Sequence, residues 1–310
     1  MAEPFVAAVD GGGSKTATLI AWRDGRVRCA PEAGGCNPQD NPEWGHTLGA
    51  ALAPLVGAAH VTVGLGGFGE VPEIDARVRA KVEATLGPGV TVMNDVALAA
   101  RAAFPSGGGV LVLSGTGSMA VAAGPLAVVR AGGWGDLFSD EGSAFWIGRE
   151  ALALAGRERD GVIPDRGLAR ALEARLGLAD RGHYALLGWT LAQGHPRSDV
   201  ARLARIIDDL AEGGLAPARD ILAAAARELS LLAHAAARQA GLAGPRPWAH
   251  AGSVFRSRTV RDAVARHLAA PPVMPEAGAL AGGLVIAAEA AGWNVNEDWR
   301  AKVRGALVTS

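Results

Sequence analysis

One short pattern occurs twice in this sequence: a β-forming run, a glycine-rich turn and a second β-forming run. Residues 5–22 read FVAAVDGGGSKTATLIAW, and residues 109–123 read GVLVLSGTGSMAVAA. Aligning the two places Gly11 on Gly115 and Gly13 on Gly117, a constant offset of 104 positions. A supersecondary unit that recurs about one domain length apart is typical of an internal duplication. The sequence therefore predicts two similar lobes.

The composition is that of a globular protein and excludes several function classes. The 310 residues contain 30 Lys and Arg against 31 Asp and Glu, and 49% are hydrophobic. This length suggests two domains. The net charge of −1 argues against a nucleic-acid binder, which usually has a basic surface. The two cysteines, Cys29 and Cys36, are too few for a disulfide framework or a zinc site, so we expect reduced thiols.

Neither a signal peptide nor a membrane span is expected. The N-terminus has no basic segment followed by an apolar one, so we expect a cytoplasmic protein. No charged residue lies between Arg101 and Arg130, a stretch long enough to span a membrane. However, Pro105, Pro125 and several glycines interrupt it, and it divides into two strands around a glycine turn.

The remaining pattern alternates strands with helices, which predicts an α/β fold with a largely parallel, covered sheet, although the opening strands form hairpins. We expect lobes at 1–107 and 108–290, and a tail at 291–310 that packs on the N-terminal lobe. Predicted strands lie near Arg26–Ala30, His60–Leu65, Val90–Met93, Ala127–Arg130 and Trp248–Ala251. Predicted helices cover Trp44–Leu55, 73–86, a segment ending at Ala103, a segment from Glu141, the apolar stripe Ile221–Leu232, a segment ending at Leu268, and Gly278–Ala290. The segment Val273–Pro275 precedes the last of these.

Each glycine turn is a candidate phosphate site, because backbone N–H groups without side chains can surround phosphate oxygens. Gly11, Gly12 and Gly13 precede Ser14, Lys15 and Thr16, which would add hydroxyls and a cation. The alternative is a plain hairpin turn, for which glycine is also preferred. Two such loops at corresponding places favour phosphate binding. Asp10, before the first loop, would hold Mg²⁺ through water or cap the turn, and the sequence leaves both open.

Asp95 follows a predicted strand and precedes a helix. Carboxylates at the carboxyl end of a strand are common catalytic groups in α/β folds, and this one could accept a proton from a sugar hydroxyl. The alternative is a helix N-cap, which position alone favours.

Residues 132–143, GGWGDLFSDEGS, combine glycines, a tryptophan and three acids. An indole ring can cover the apolar face of a sugar while carboxylates accept its hydroxyl protons. The alternative is that Asp140 and Glu141 complement the positive N-terminus of the following helix.

Five segments together carry a resemblance to one family: DGGGSKT (10–16), MNDVALAARAAF (93–104), LSGTGSMA (113–120), GGWGDLFSDEGSAFWIGREAL (132–152) and AGSVFRS (251–257). The chain resembles the N-acetylglucosamine kinase branch of the BadF/BadG/BcrA/BcrD ATPase family, within the actin/hexokinase/Hsp70 superfamily. The fourth segment is the most specific of the five. The resemblance implies two lobes of ribonuclease H-like, actin-like type that close on ATP, with an amino sugar in the cleft.

The resemblance also implies residue roles. Asp95 would be the general base for phosphorylation of the sugar 6-hydroxyl, and Asp10 would lie near Mg²⁺. Nucleotide contacts would come from Gly11, Gly12, Gly13, Ser14, Lys15, Thr16, Gly115, Thr116, Gly252 and Ser253. Amino-sugar contacts would come from Asn37, Asp95, Ser118, Met119, Gly133, Trp134, Gly135 and Asp140. We also expect a homodimer.

Two departures from the family pattern concern the sugar rather than the phosphoryl transfer. Met119 stands where a small polar residue is expected, and Asp136 adds a charge in the 131–140 loop. Three alternative functions stay open: a glucosamine kinase, an ATPase activator of another enzyme, and a sugar or nucleotide sensor without catalysis. The activator is disfavoured because Cys29 and Cys36 lie outside the lobe where its iron–sulfur ligands are expected.

Overall fold

A computed structural model describes residues 3–13, 15–39, 41–105, 107–124, 128–275 and 278–308. The chain divides into two compact units. Unit 1 comprises residues 1–107 and 274–310, and unit 2 comprises residues 108–273. Ser14, one of the predicted phosphate-site residues, lies outside the described residues.

Unit 1 is built on a mixed sheet. Its strands are β1 (Phe5–Gly11), β2 (Lys15–Trp22), β3 (Val27–Cys29), β4 (Ala33–Gly34), β5 (His60–Leu65) and β6 (Val90–Asn94). They lie in the order β3-β2-β1-β5-β6, with β4 paired to β2. β1, β5 and β6 run parallel, while β2 is antiparallel to its neighbours. Its helices are α1 (Trp44–Leu52, continued by a 3₁₀ turn Ala53–Leu55), α2 (Pro72–Leu86), α3 (Asp95–Ala103), α10 (Ala279–Ala290) and α11 (Glu297–Val308).

Apolar residues alternate along the strands of unit 1, so each face of its sheet buries a separate core. Ala7 and Val9 pack with α1 and α2 on one face. Val6 and Ala8 pack with α10 and with Trp299 of α11 on the other. The Trp299 indole Nε1 donates a 2.9 Å hydrogen bond to the Trp22 carbonyl, which fastens the C-terminal helix to β2.

Unit 2 is built on a four-stranded sheet in the order β10-β7-β8-β9, in which only β10 and β7 pair in parallel. Its strands are β7 (Gly109–Ser114), β8 (Ser118–Ala123), β9 (Val128–Gly132) and β10 (Trp248–Ala251). Its helices are α4 (Ala144–Arg159), α5 (Leu168–Arg175), α6 (Ala185–Leu191), α7 (Pro196–Glu212), α8 (Ala216–Gln239) and α9 (Arg258–His267, after a 3₁₀ turn Ser253–Arg256). The apolar stripe of α8 covers the inner face of β7 and β8.

Several expectations need correction. Both sheets are mixed rather than largely parallel, because β3 and β9 extend the expected opening hairpins as further antiparallel strands. The helix expected from Glu141 begins at Ala144, because the Ser143 hydroxyl caps it by accepting from the Trp146 amide at 3.1 Å. The segment 274–290 belongs to unit 1 rather than to the C-terminal lobe, because α10 packs on the sheet of unit 1. The predicted tail contains a helix, α11. Throughout the described segments, the helices are too short or too polar to cross a membrane.

Candidate active site

The carboxyl ends of three parallel strands meet at one edge of the unit 1 sheet. Gly11 of β1 pairs in register with Leu65 of β5, and Leu65 pairs with Asn94 of β6. Asp10 therefore lies at the end of β1, and Asp95 directly follows β6. Side chains at such an edge of an α/β sheet are well placed to bind ligands.

Asp95 is the first residue of α3, and the residue that caps this helix is Asn94. The Asn94 Oδ1 accepts a 3.0 Å hydrogen bond from the Val96 amide, which also donates to the Asp95 Oδ1 at 2.8 Å. The N-cap alternative for Asp95 is therefore wrong, since its neighbour performs that task.

Gly66, directly after β5, keeps open the space beside this carboxylate. A side-chain Cβ at Gly66 would lie 3.4 Å from the Asp95 Oδ2 and 3.6 Å from the Asn37 Nδ2. The predicted base and the predicted amide ligand thus line one small space that a larger residue would fill. At the next residue, Gly67, a Cβ would lie 2.8 Å from the Asn37 Oδ1, and its φ of +76° favours glycine.

Burial and neighbouring charges make Asp95 a weaker acid than an ordinary aspartate. Loss of hydration, the largest cause, and the charges of Asp10 and Glu70 together raise the pKa of Asp95 to about 6, although the hydrogen bond from the Val96 amide lowers it. Burial also raises the pKa of Asp10, against the opposing charge of Lys15. A carboxylate with a pKa near 6 is suited to accepting a proton at neutral pH.

The first glycine loop is closed by the Gly11–Thr16 pair of β1 and β2. The Thr16 side chain is buried, and its hydroxyl donates to the Gly34 carbonyl at 2.8 Å and lies 3.0 Å from the Cys36 Sγ. Lys15 is exposed and forms a 3.1 Å ion pair with Glu32. The Gly12 N–H donates to the Lys15 carbonyl and the Gly12 carbonyl accepts from the Cys36 amide, both at 3.0 Å, whereas Gly13 is exposed. The Thr16 hydroxyl serves the packing of the unit.

The second glycine loop of unit 2 borders a cavity of about 790 Å³. Thr116 of this loop and Ser253 after β10, both predicted nucleotide contacts, line it together with residues of α7. Gly252 lets the end of β10 come close to the second glycine loop, because its φ is +101° and a Cβ there would collide with the Ser114 carbonyl. A cavity of this size can hold a nucleotide-sized ligand.

Asp140 is buried against the same glycine loop. Its carboxylate accepts a hydrogen bond from the Ser118 amide at 3.3 Å and forms a 2.7 Å ion pair with Arg197. Its φ of +62° is uncommon outside glycine and marks a backbone held in place by its surroundings. The Ser118 hydroxyl donates to the Glu141 carbonyl at 2.7 Å. The structure therefore brings Ser118 and Asp140 together.

The loop that contains Trp134 presents large apolar groups to solvent. Trp134, Leu137 and Phe138 are 66%, 88% and 70% exposed. Met119 packs against Gly133, where a Cβ would lie 2.9 Å from the methionine Cε. The side chain that departs from the family pattern is thus part of the support for this loop.

Sequence reasoning missed three contributors. Gly66 and Gly67 belong to a visible glycine cluster, GGFG at 66–69, that follows a predicted strand and could have been assigned to the same sheet edge. Arg197 lies in α7, 57 residues from Asp140 in sequence, and no sequence pattern around it indicates this contact.

Comparison with known proteins identifies the family of the chain. The model of the BadF/BadG/BcrA/BcrD ATPase family matches residues 8–287. The chain belongs to this family. It is 27% identical, over 242 residues, to an N-acetylmuramic acid/N-acetylglucosamine kinase of Clostridium acetobutylicum, covering 73% of this chain and 77% of that protein.

Solved structures show the same fold. A candidate N-acetylglucosamine kinase from Chromobacterium violaceum superposes with a TM-score of 0.65 at 23% identity, covering 92% of this chain and 99% of that one. A ROK hexokinase from Thermus thermophilus gives a TM-score of 0.53 at 16% identity, covering 90% and 97%. The predicted fold class, α/β of actin-like type, is confirmed.

Proposed function

We propose that this member of the family is an ATP-dependent amino-sugar kinase that phosphorylates the 6-hydroxyl of N-acetylglucosamine. The observation that carries the proposal is the Asp95 carboxylate, which has a raised pKa and shares an open space with Asn37 at a sheet edge. The 27% identical relative, named for kinase activity on N-acetylmuramic acid and N-acetylglucosamine, supports the substrate class.

Each unit supplies a defined part of the chemistry. In unit 1, Asn37 would orient the sugar and Asp95 would accept the proton of the attacking hydroxyl. In unit 2, Thr116, Ser253 and the glycine loop would hold ATP. The Asp140 carboxylate and the Ser118 hydroxyl, whose proton goes to the Glu141 carbonyl, would accept hydrogen bonds from the sugar. Phosphoryl transfer depends mainly on such positioning and on stabilising the phosphate charge.

Magnesium fits the residues at the edge of unit 1 only in partnership with phosphates. Among the residues that the structure describes, no group of three or more His, Cys, Asp or Glu side chains could form a metal site. Mg²⁺ is commonly bound through one or two carboxylates plus phosphates and waters. Asp10, partly buried beside the first glycine loop, could supply such a carboxylate. Bound Mg²⁺ would neutralise phosphate charge.

The deciding experiment is a coupled ADP-release assay with Mg·ATP. N-acetylglucosamine, glucosamine, N-acetylmuramic acid, N-acetylmannosamine and glucose are the acceptors to compare. We expect a marked preference for N-acetylglucosamine. Preference for glucosamine would establish the kinase but correct its substrate. ADP release without sugar would favour the ATPase activator, and no release would favour the sensor.

Substitution of the base tests the assignment of Asp95. Asp95→Asn keeps the shape of the side chain but cannot accept the proton, so we expect turnover to fall by roughly 10²–10⁴-fold. Asp298→Asn is the matched control, because Asp298 is also in the first turn of a helix but is exposed and paired with Lys302. Near-normal turnover of Asp95→Asn, with both variants folded, would contradict the assignment.

The quaternary structure and cellular location stay predictions. A cytoplasmic homodimer is expected for the kinase, and sedimentation of the purified protein at assay concentration would measure its mass against the 31.5 kDa of one chain.

A further inference from the structure

Arg197 joins two carboxylates of the Trp134 loop (residues 132–140) to the start of α7. Its Nη2 lies 2.7 Å from the Asp140 Oδ2, and its Nε lies 3.2 Å from the Asp136 Oδ1. Asp140 is almost fully buried, whereas Asp136 and Arg197 are partly exposed. One guanidinium thus holds both ends of the segment 136–140.

The fork of an arginine suits this bridge, since its nitrogens project in fixed, separate directions. The buried Asp140 carboxylate would be costly without a cationic partner, because charge removed from water needs compensation. Asp136, whose charge departs from the family pattern, pairs with the same guanidinium at 3.2 Å.

The position of Arg197 links this loop to the other parts of unit 2. Arg197 is the second residue of α7, and Ser198, Arg202 and Arg205 of that helix line the 790 Å³ cavity. A Cβ at Gly117 would lie 2.8 Å from the Asp140 Oδ2 and 3.1 Å from the Arg197 Nη2. The ion pairs therefore stand directly beside the second glycine loop.

We propose that Arg197 is a positioning residue that fastens the Trp134 loop, through Asp136 and Asp140, to the helix lining the nucleotide cavity. Its effect is on amino-sugar binding, and in this respect it rests on the proposed function. Asp136 is the second, weaker attachment. Loss of Arg197 frees the loop and leaves Asp140 without its cation, so the sugar binds less tightly while the cavity for ATP is retained.

Two measurements on the full chain test this proposal. The first is hydrogen–deuterium exchange without substrate, in which Arg197→Gln should increase exchange of the 132–140 amides and Arg197→Lys should do so less. The second is steady-state kinetics with N-acetylglucosamine. Arg197→Gln should raise the KM for the sugar roughly tenfold or more, because it leaves a buried charge unpaired. Asp136→Asn, which keeps the buried pair, should raise it about two- to fivefold. The KM for ATP should stay within twofold.

Arg166→Gln is the matched control. Arg166 has a similar exposure and one 2.8 Å ion pair with Asp220, and it lies outside the residues that line the cavity and the loop. Unchanged exchange in 132–140 for Arg197→Gln would overturn the proposal, as would a change in the KM for ATP alone. If the wild type phosphorylates none of the sugars while the exchange still increases, the proposed function fails and the fastening of the loop stands.

Discussion

At the scale of single residues, the environment of Asp95 sets a pH dependence. The proton must be absent for the carboxylate to act as a base, and burial with the charges of Asp10 and Glu70 raises the pKa of Asp95 to about 6. We therefore expect kcat/KM to increase about tenfold per pH unit below 6 and to level off above pH 7, since this profile reports ionisation in the free enzyme. An ordinary aspartate would give a flat profile from pH 5 upward.

Glu70→Gln checks the cause of that profile. Removing one of the like charges should lower the pKa of Asp95, so the midpoint of kcat/KM should move to lower pH while the plateau stays similar. A midpoint that stays in place in this variant would show that burial, the larger cause, raises the pKa without help from Glu70.

Replacing a buried threonine by valine should change the free energy of unfolding in opposite directions at Thr62 and Thr16. Among the residues that the structure describes, the Thr62 hydroxyl finds no hydrogen-bond partner, whereas that of Thr16 donates to the Gly34 carbonyl. Thr62→Val removes an unsatisfied polar group and should raise the free energy of unfolding by about 1 kcal/mol or more, while Thr16→Val should lower it by a similar amount. Thermal unfolding of both variants beside the wild type measures this, and a Thr62→Val protein less stable than wild type would contradict it.

At the scale of elements, the end of β10 must approach the second glycine loop very closely. Gly252 contacts Ser114 and Gly115 with a φ of +101°, so Gly252→Ala forces the two segments apart. We expect the KM for ATP to rise roughly tenfold or more, because Ser253 and Thr116 no longer line one cavity in the same way. Gly241→Ala is the control: its φ is +72°, but a Cβ there meets nothing within 4 Å. If both variants raised the KM for ATP equally, the cause would be backbone strain at a positive φ and not the contact of Gly252 with Ser114.

Sequence patterns predicted well the elements whose formation depends on residues close together in sequence. The two hairpins, the helix at 73–86 and the strand before Asp95 follow from alternation, periodicity and glycine turns, and all lie close to their predicted bounds. The start of α4 was wrong by three residues because the Ser143 hydroxyl caps the helix. The sheets are less parallel than expected, because the third strand of each unit, β3 or β9, also pairs antiparallel with the strand before it.

The candidate site likewise has parts that the sequence predicts and contacts that it does not. Asp10, Asp95 and the glycine loops follow strands, and a sequence shows where strands end. The sequence does not reveal which neighbouring residues decide the chemistry of these side chains. Glu70 acts on the pKa of Asp95 through space, Asn94 takes over the cap, and Arg197 reaches Asp140 from 57 residues away. Each of these contacts is created only when the units fold.

At the scale of the whole molecule, one unit is continuous in sequence and the other is not. Unit 2 is a single segment, 108–273, whereas unit 1 needs 274–310 to complete it. In unit 1, α10 and α11 cover Val6, Ala8, Leu19 and Ala21, which form one face of the sheet. Without these helices, that apolar face would meet water, at a cost of roughly 25 cal/mol per Å² of apolar surface.

This difference predicts unequal behaviour of two fragments. We expect residues 108–273 alone to unfold cooperatively on heating and to bind an ATP analogue, because their core and cavity are complete. Residues 1–107 alone should aggregate or lack a cooperative transition, and co-expression with 274–310 should restore one. Circular dichroism and calorimetry of the purified fragments measure both outcomes. A stable, monomeric 1–107 fragment would show that α10 and α11 are dispensable for the fold of unit 1, contrary to the packing of Leu284, Trp293 and Trp299 against its sheet.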